Sequence, residues 1–303
     1  MRTDIVVVLF NTDSALVESC VRSIELARRH AGIHGSTILF DNASNKVFVA
    51  PDEWDVVVRR SETNLGFGAA MNKVVEGLSA ETTLLLNPDA ELSTTALAEF
   101  QAAHKTFPSA LLSGWLENGS SVQVDAMLNW IFSFDRLARR RTYAKYLVAH
   151  EQMDVVDVQK VCGGALFANT TLLKSYGPFD ERFFLYGEDA DLSRRASRDS
   201  VRLLAVPGAR VLHAAASSQA NHGELVERAR ADAAIRLGAY HLPILLSYIQ
   251  RLELGVITLL GVLAPRTSSS TRGVRLSRFK ELGAWLGRTD RPKFSPSSIS
   301  NKA

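Results

Sequence analysis

The 303-residue chain reads as an α/β protein whose first hundred residues build a parallel sheet, followed by a less regular middle and a helical extension. Two observations carry this. Short aliphatic runs alternate with amphipathic segments of helix length, the pattern of strands buried on both faces by crossover helices. The runs also end in polar residues, at Asn11, at Asp41-Asn42-Ala43-Ser44 and at Asn87-Pro88-Asp89. Ligand crevices in open α/β sheets form at the carboxyl ends of the strands.

Residues 4–10 are nearly all aliphatic and predict the first strand. A helix follows over about 14–30, with Leu16, Cys20 and Ile24 on its apolar stripe. Strands are expected at 36–41, 56–59 and 82–86, and a helix begins near Gly66 between the last two. Residues 111–161 are harder to place. There Arg136, Arg139, Arg140, Arg141 and Lys145 stand among Trp130, Phe132, Phe134, Tyr143 and Tyr146, which suits either an acceptor-binding insertion or an amphipathic surface helix. Residues 161–168 read as a strand through Gly163-Gly164, where missing side chains suggest that another group approaches the backbone closely. Two short strands, 201–206 and 209–213, flank Pro207-Gly208. After Asn221 the pattern turns helical up to about 263. Gln250, Arg251 and Glu253 interrupt the apolar part and leave 254–264, too short to span a bilayer. That segment is expected to pack on the protein, on a second copy of the chain in a homodimer, or on a membrane surface. Pro265 ends it, 267–271 is a Ser/Thr linker, 274–286 a short basic helix, and 291–303 has a disordered composition.

Composition excludes some classes. A net charge of +3 is too small to argue for nucleic acid. The charge is uneven, however: Arg266, Arg272, Arg275, Arg278, Lys280, Arg288, Arg291 and Lys293 face only Glu281 and Asp290, a local balance of +6. Such a stretch either attracts anionic lipid or is a solvated tail. The short apolar opening lacks the length of a signal peptide's apolar region, and Cys20 and Cys162 show no metal-ligand spacing. Both are expected to be reduced thiols of a cytoplasmic protein, peripheral on the inner face of the membrane if the basic stretch binds lipid.

The densest chemistry lies in 183–195, where Phe183-Phe184-Leu185-Tyr186-Gly187 runs into Glu188, Asp189 and Asp191. Gly187 breaks the aromatic run, and Leu192 with Ala196, beside the Asp191 and Arg195 pair, predicts a helix starting at Glu188. Carboxylates there meet the positive end of the helix dipole, which suits Asp189 as a general base and equally suits a plain stabilised helix start. Farther apart stand Asp41, Asp89 and His213. A carboxylate with a histidine makes an oxygen and nitrogen site for Mg²⁺ or Mn²⁺ on a diphosphate. A dinucleotide fold is disfavoured, because Gly66-Phe67-Gly68 has no third glycine at Met71 and does not directly follow a strand.

Several segments in order resemble the inverting nucleotide-sugar glycosyltransferases of family 2, in their bacterial rhamnosyltransferase-like branch. They are Val6-Val7-Val8-Leu9-Phe10-Asn11, Phe40-Asp41-Asn42-Ala43-Ser44, Asn64-Leu65-Gly66-Phe67-Gly68-Ala69-Ala70-Met71-Asn72, and Leu86-Asn87-Pro88-Asp89, which is similar to the family's Asp-X-Asp motif. Cys162-Gly163-Gly164-Ala165, Gly177-Pro178-Phe179-Asp180-Glu181-Arg182-Phe183-Phe184 and Glu188-Asp189-Ala190-Asp191-Leu192 follow. The resemblance covers roughly 4–217.

It implies a GT-A fold, a mixed α/β sheet over 1–220 with a donor half (about 1–110) and an acceptor half (about 111–220); by pattern and composition a helical extension over 221–290 and a disordered tail over 291–303 follow. Asn11, Asp41, Asn64, Gly66, Asn72, Asn87 and Asp89 would bind the donor, with Asp41 on its pyrimidine base. Gly163, Gly164 and Glu188 would meet the acceptor, Asp189 would be the catalytic base, and Asp89 and His213 would hold Mg²⁺ or Mn²⁺. The implied donor is a nucleotide sugar, dTDP-rhamnose first and a UDP-sugar such as a galactofuranosyl or other hexosyl donor second. The implied acceptor is a cell-surface glycan or its lipid-linked precursor. A catalytically silent binding protein of the same fold is the alternative of another class. Two departures stand out: Asn87 replaces the motif's first acid, and the segment after His213 lacks the usual glycines.

Overall fold

The structure, a computed structural model, describes residues 1–119, 121–213, 223–264 and 268–294. The donor half contains β1 (Thr3–Leu9), α1 (Ser14–Ala31), β2 (Thr37–Asp41), β3 (Val57–Arg60), α2 (Phe67–Val75), β4 (Thr82–Leu86), β5 (Ala90–Leu92) and α3 (Ala96–Thr106). The middle adds β6 (Leu111–Asn118), β7 (Ser121–Val122), α4 (Val124–Met127), α5 (Ser133–Ala149), β8 (Val156–Asp157), β9 (Ala165–Asn169), α6 (Thr170–Tyr176), α7 (Glu188–Arg198) and β10 (Leu203–His213). The extension is α8 (Gly223–His241), α9 (Ile244–Leu263), α10 (Ser269–Leu276) and α11 (Arg278–Ala284).

All strands join one sheet in the order β3-β2-β1-β4-β9-β6-β10-β5, with β7 and β8 on its margins. β1, β2, β3 and β4 are parallel, as expected, whereas β9 runs antiparallel to β4 and β6, and β5 antiparallel to β10. The sheet is therefore mixed. Alternate residues of β1 feed different cores: Ile5, Val7 and Leu9 pack with α1 and α3 through Val17, Ile24 and Phe100, while Val6 and Val8 pack with α2 and α7 through Met71, Val74 and Leu192. A strand buried on both faces needs this continuous apolar run.

Two expectations about elements are corrected, and one that the sequence left open is placed. Residues 161–164 are not strand; β9 begins at Ala165, opposite Leu86 of β4, so Gly163 and Gly164 sit in the turn that enters the sheet at its carboxyl edge. Residues 203–213 form one strand rather than two, because the pairing with β6 shifts register between Val206 and Arg210 and so absorbs Pro207-Gly208. The basic aromatic segment is the surface helix α5, its Arg136 and Arg140 paired with Asp125 and its Arg139 with Asp135.

The extension packs on the site's own helix: Phe183 and Ala190 meet Ala233 and Leu237 of α8, and His241 Nε2 lies 2.8 Å from Asp191 Oδ1. Its interior is partly polar. Arg236, fully buried, pairs with Asp232, which also accepts from Trp285 Nε1 at 2.8 Å. Residues 291–294, expected to be disordered, return to the main body: Arg236 donates to the carbonyls of Arg291 and Pro292, Lys293 Nζ donates to Leu65 O, and Phe294 packs on Phe184. The rest of that tail, 295–303, and Pro265 lie outside the described residues, as does the segment after His213.

α9 also departs from expectation. It is a single 20-residue helix, by length and composition long and apolar enough to cross a membrane, with a third of its apolar window buried in the protein. The interruption read at Gln250, Arg251 and Glu253 is absent from its outer surface because all three side chains are buried.

Candidate active site

The carboxyl edge of the sheet gathers the predicted residues at two stations. The first joins β4, β5 and β10. Antiparallel pairing sets His213 opposite Ala90, so the strand end carries the imidazole to the residue that follows Asp89. His213 Nε2 stands 3.3 Å from Asp89 Oδ1 and 3.2 Å from Asn87 Nδ2. The other ring nitrogen, Nδ1, faces Gln123 Oε1 at 3.2 Å, while Gln123 Nε2 donates to the His213 carbonyl at 2.8 Å. With a glutamine oxygen beside it, Nδ1 carries the proton and Nε2 presents its lone pair toward Asp89. Gln123 thus fixes the tautomer, as outer-shell partners of metal-binding histidines do. No pattern in the sequence marked it.

This pair fits a divalent cation. Two acceptors, a carboxylate oxygen and an imidazole lone pair, face each other with no proton between them in that tautomer. Their 3.3 Å separation is close to the roughly 3 Å between adjacent donors on an octahedral ion with bonds near 2.1 Å. Among the described residues no group of three or more His, Cys, Asp and Glu side chains could hold an ion. An ion here would take Asp89 and His213 from the protein and its remaining oxygens from substrate and water, the usual habit of Mg²⁺ at phosphates.

The second station is the start of α7. Gly187, with φ of 84°, precedes Glu188 as expected. Asp189 Oδ2 lies 3.5 Å from Lys160 Nζ, a partner that sequence reasoning missed because Lys160 stands alone in an irregular segment. Burial favours losing the Lys160 proton, but Asp189 together with Cys162 and Glu188 outweighs it and holds the amine above its ordinary value. Glu188 is buried rather than presented to an acceptor, and its Oε2 has no hydrogen-bond partner. Burial, reinforced by the Asp189 charge, pushes it up to about 8, so Glu188 is a neutral acid at neutral pH and Asp189 is the carboxylate placed to accept a proton. Burial and Asp189 together likewise push Cys162 up to about 11.

Residues 160–164 bridge the two stations. Lys160 meets Asp189, Gly164 O accepts from Asn87 N at 3.0 Å, and a Cβ at Gly164 would stand 3.3 Å from Asn87 Nδ2. The close approach expected at Gly163-Gly164 is thus made by protein: Gly163 lies under the Phe67 ring and Gly164 beside Asn87.

The donor-side residues form a braced floor. Asn42 Nδ2 donates to Asn64 Oδ1 at 3.0 Å, Asn42 Oδ1 accepts from Leu65 N at 2.9 Å, and Asn64 Oδ1 accepts from Gly66 N at 2.9 Å. Asn11 joins the same floor, its Oδ1 accepting from Asn45 N and its N–H donating to Ser44 Oγ.

Two of the expected donor residues already have partners within the protein. The Asp41 side chain has no exposed surface, and its carboxylate is turned onto its own loop, accepting from Ser44 N, Phe48 N and Arg60. Burial would raise it, but these hydrogen bonds win and hold it below its ordinary value. It therefore shapes the loop that follows β2. Asn72 is spent on both sides of Phe179, donating to its carbonyl at 2.7 Å and accepting from its N–H at 3.0 Å. It pins 179–181 to α2, beside a cleft of about 800 Å³ on the outer side of that helix.

No family model matches the chain, and no curated protein sequence does. Solved structures do. The chain resembles GalNAc-T7 with UDP, GalNAc and Mn²⁺ at a TM-score of 0.60 and 15% identity, over 93% of this chain and 56% of that one. It resembles the mannosyltransferase PcManGT from Pyrobaculum calidifontis in complex with GDP-Man and Mn²⁺ at 0.57 and 12%, over 95% and 88%. It also resembles S. aureus TarS 1–349 at 0.50 and 13%, over 100% and 76%. The chain spans little more than half of the GalNAc-T7 chain. At these identities the likeness shows the fold, which is the GT-A arrangement.

Proposed function

We propose that this protein is a metal-assisted, inverting glycosyltransferase that moves a sugar from a nucleoside diphosphate to a hydroxyl acceptor. One observation carries the reading: a carboxylate and histidine pair and a separate lysine-paired aspartate stand at the same sheet edge, joined by residues 160–164. Two of the similar structures, GalNAc-T7 and PcManGT, were solved with a nucleotide or nucleotide sugar and Mn²⁺, which supports the same ligand class here. The ordered motifs of the rhamnosyltransferase-like branch favour dTDP-rhamnose as donor, with a UDP-sugar second, and a cell-surface glycan or lipid-linked precursor as acceptor.

In this reading Asp89 and His213 hold the ion, with Gln123 orienting the imidazole. An ion held there would supply the positive charge that offsets the charge developing on the departing diphosphate. Asp189 takes the acceptor's proton as its oxygen attacks the anomeric carbon from the face opposite the diphosphate, which inverts that centre in one displacement. Lys160 holds the Asp189 carboxylate in place, and neutral Glu188 beneath it adds no second negative charge.

The test is a panel of dTDP- and UDP-sugars with Mg²⁺ or Mn²⁺, read by thermal stabilisation and by nucleoside diphosphate release. A ligand at 100 times its dissociation constant adds about 2.7 kcal/mol. Stabilisation and release with dTDP-rhamnose are expected. Stabilisation without release by any donor, acceptor extracts included, would leave the binding-protein reading in its place.

A further inference from the structure

α9 turns its polar side chains inward. Gln250 donates to Ala234 O in α8, Arg251 donates to Trp285 O, and Glu253 accepts from the N–H groups of Ser133 and Phe134 at the start of α5. These bonds tie the middle turn of the helix to α8, to the start of α5 and to the residue that follows α11. The outer surface is apolar from end to end: its exposed residues run from Ile244 through Leu252 and Leu259 to Leu263, and Tyr248 alone among them carries a polar atom. Twenty residues make this face about 30 Å long. It continues into an apolar groove of about 530 Å³ between α9 and α11, lined by Leu252, Val256, Leu259, Phe279 and Leu286 among others.

Two arginines stand close in sequence to residues of this face and groove. Arg288 lies two residues beyond Leu286, and Arg272 lies one turn before Arg275, whose guanidinium reaches Gly261 O of α9. Among the described residues neither Arg272 nor Arg288 has an acidic partner. Most of the basic stretch is otherwise engaged: Arg278 with Glu227, Lys280 with Glu224, Arg291 with Glu281, and Lys293 with Leu65 O. Three of the eight basic residues thus face carboxylates within the fold, and those carboxylates are shared with Arg228 and Arg230, so the stretch stays net positive.

We propose that the outer face of α9, with the groove it shares with α11, rests on an anionic lipid bilayer, the helix lying parallel to the surface. Soluble monomers rarely leave so continuous an apolar face to water. A protein interface carries a polar rim and about one hydrogen bond per 100–200 Å², whereas this face offers one tyrosine hydroxyl. An apolar stripe flanked by arginines matches lipid tails beneath anionic headgroups. The inward bonds of Gln250, Arg251 and Glu253 keep the helix on the body of the protein rather than across the membrane. The inference stands apart from the transferase reading, since it uses none of the residues at the sheet edge.

The experiment is co-sedimentation of the full chain with phosphatidylcholine vesicles, with and without phosphatidylglycerol, alongside sedimentation equilibrium without lipid. Expected is a monomer that binds the anionic vesicles and stays largely bound in 1 M salt, where the Debye length has fallen to about 3 Å. The exposed double substitution L252E/L259E should weaken binding at least about tenfold, with an unchanged melting temperature; L245E/L260E repeats the test at other positions. R272E/R288E should remove the preference for the anionic vesicles while leaving weaker binding to both. A lipid-indifferent dimer that L252E/L259E converts to monomer would overturn the proposal in favour of a second copy, and a monomer that ignores both vesicles would overturn it outright.

Discussion

Gly66 and Phe184 meet backbone to backbone: a Cβ on Gly66 would stand 2.4 Å from the Phe184 carbonyl oxygen, which also accepts from Phe67 N at 2.9 Å. The contact joins the donor-side loop to the aromatic run that leads into Glu188 and Asp189. Gly66 has a φ of 81°, a region L residues seldom occupy, and the clash is with backbone that no rotamer change relieves.

Gly66→Ala is therefore expected to cost on the order of 2 kcal/mol or more, since strain of 1–3 kcal/mol adds to the steric contact. It should also loosen the start of α7. Thermal melts and nucleotide titration check this; a variant with wild-type melting temperature and affinity would show that the two segments are not coupled through this contact.

Asp189→Asn should keep the fold and the affinity for nucleoside diphosphate while turnover falls about 10² to 10⁴-fold, the usual cost of a lost general base. An amide keeps the shape but cannot take the proton. Lys160→Met removes the ion pair and should lower turnover less, with the nucleotide affinity again unchanged. Turnover of D189N within about threefold of wild type would move the base to another group.

His213→Ala and Asp89→Ala should each abolish the metal-dependent part of nucleoside diphosphate binding and leave free nucleoside binding as it was. Gln123→Leu should give the same effect in weaker form, about 10 to 100-fold, as loss of an outer-shell partner does. Calorimetric titration with and without Mn²⁺ distinguishes these. Equal loss of metal-free nucleoside binding in all three variants would mean that the station holds the base or the loop rather than the metal.

What was legible in the sequence follows from how each feature is encoded. β1, α1, β2 and β4 are local: a strand buried on both faces must be aliphatic throughout, and the helix shows its stripe at Leu16, Cys20 and Ile24. The helix start at Glu188 was equally plain, because Gly187 and the Asp191 to Arg195 spacing act over a few residues. The antiparallel insertion of β9 between β4 and β6 was not, since pairing across 53 to 87 residues leaves no local trace. At the site, residue types were legible and directions were not. Asp41 and Asn72 lie where a ligand-facing role was expected, yet each turns its polar atoms onto its own backbone neighbours, Ser44 and Phe48 in one case and Phe179 in the other. Gln123 and Lys160 carry no motif, and only the strand pairing of β10 and the turn before β9 bring them to His213 and Asp189.

Glu188 supplies a test in pH. Its folded value of about 8 exceeds the ordinary 4.5, because burial and the Asp189 charge disfavour its ionised form. Above about 4.5 the unfolded chain releases this proton while the folded chain keeps it, so the folded state binds more protons and stability must fall as pH rises. The contribution is fully present below 4.5, declines across the window up to about 8, and is gone above it. Glu188→Gln cannot titrate and should lack this slope. Melting temperatures of wild type and E188Q, measured from pH 5 to 9, should therefore diverge in favour of the variant, by a few degrees on the scale of roughly 2–4 °C per kcal/mol for larger domains. Other titrating groups are common to both proteins and cancel in the difference. A difference that stays constant across that range would mean that Glu188 is ionised in the folded protein, and the reading of Glu188 as a neutral neighbour of Asp189 would fail with it.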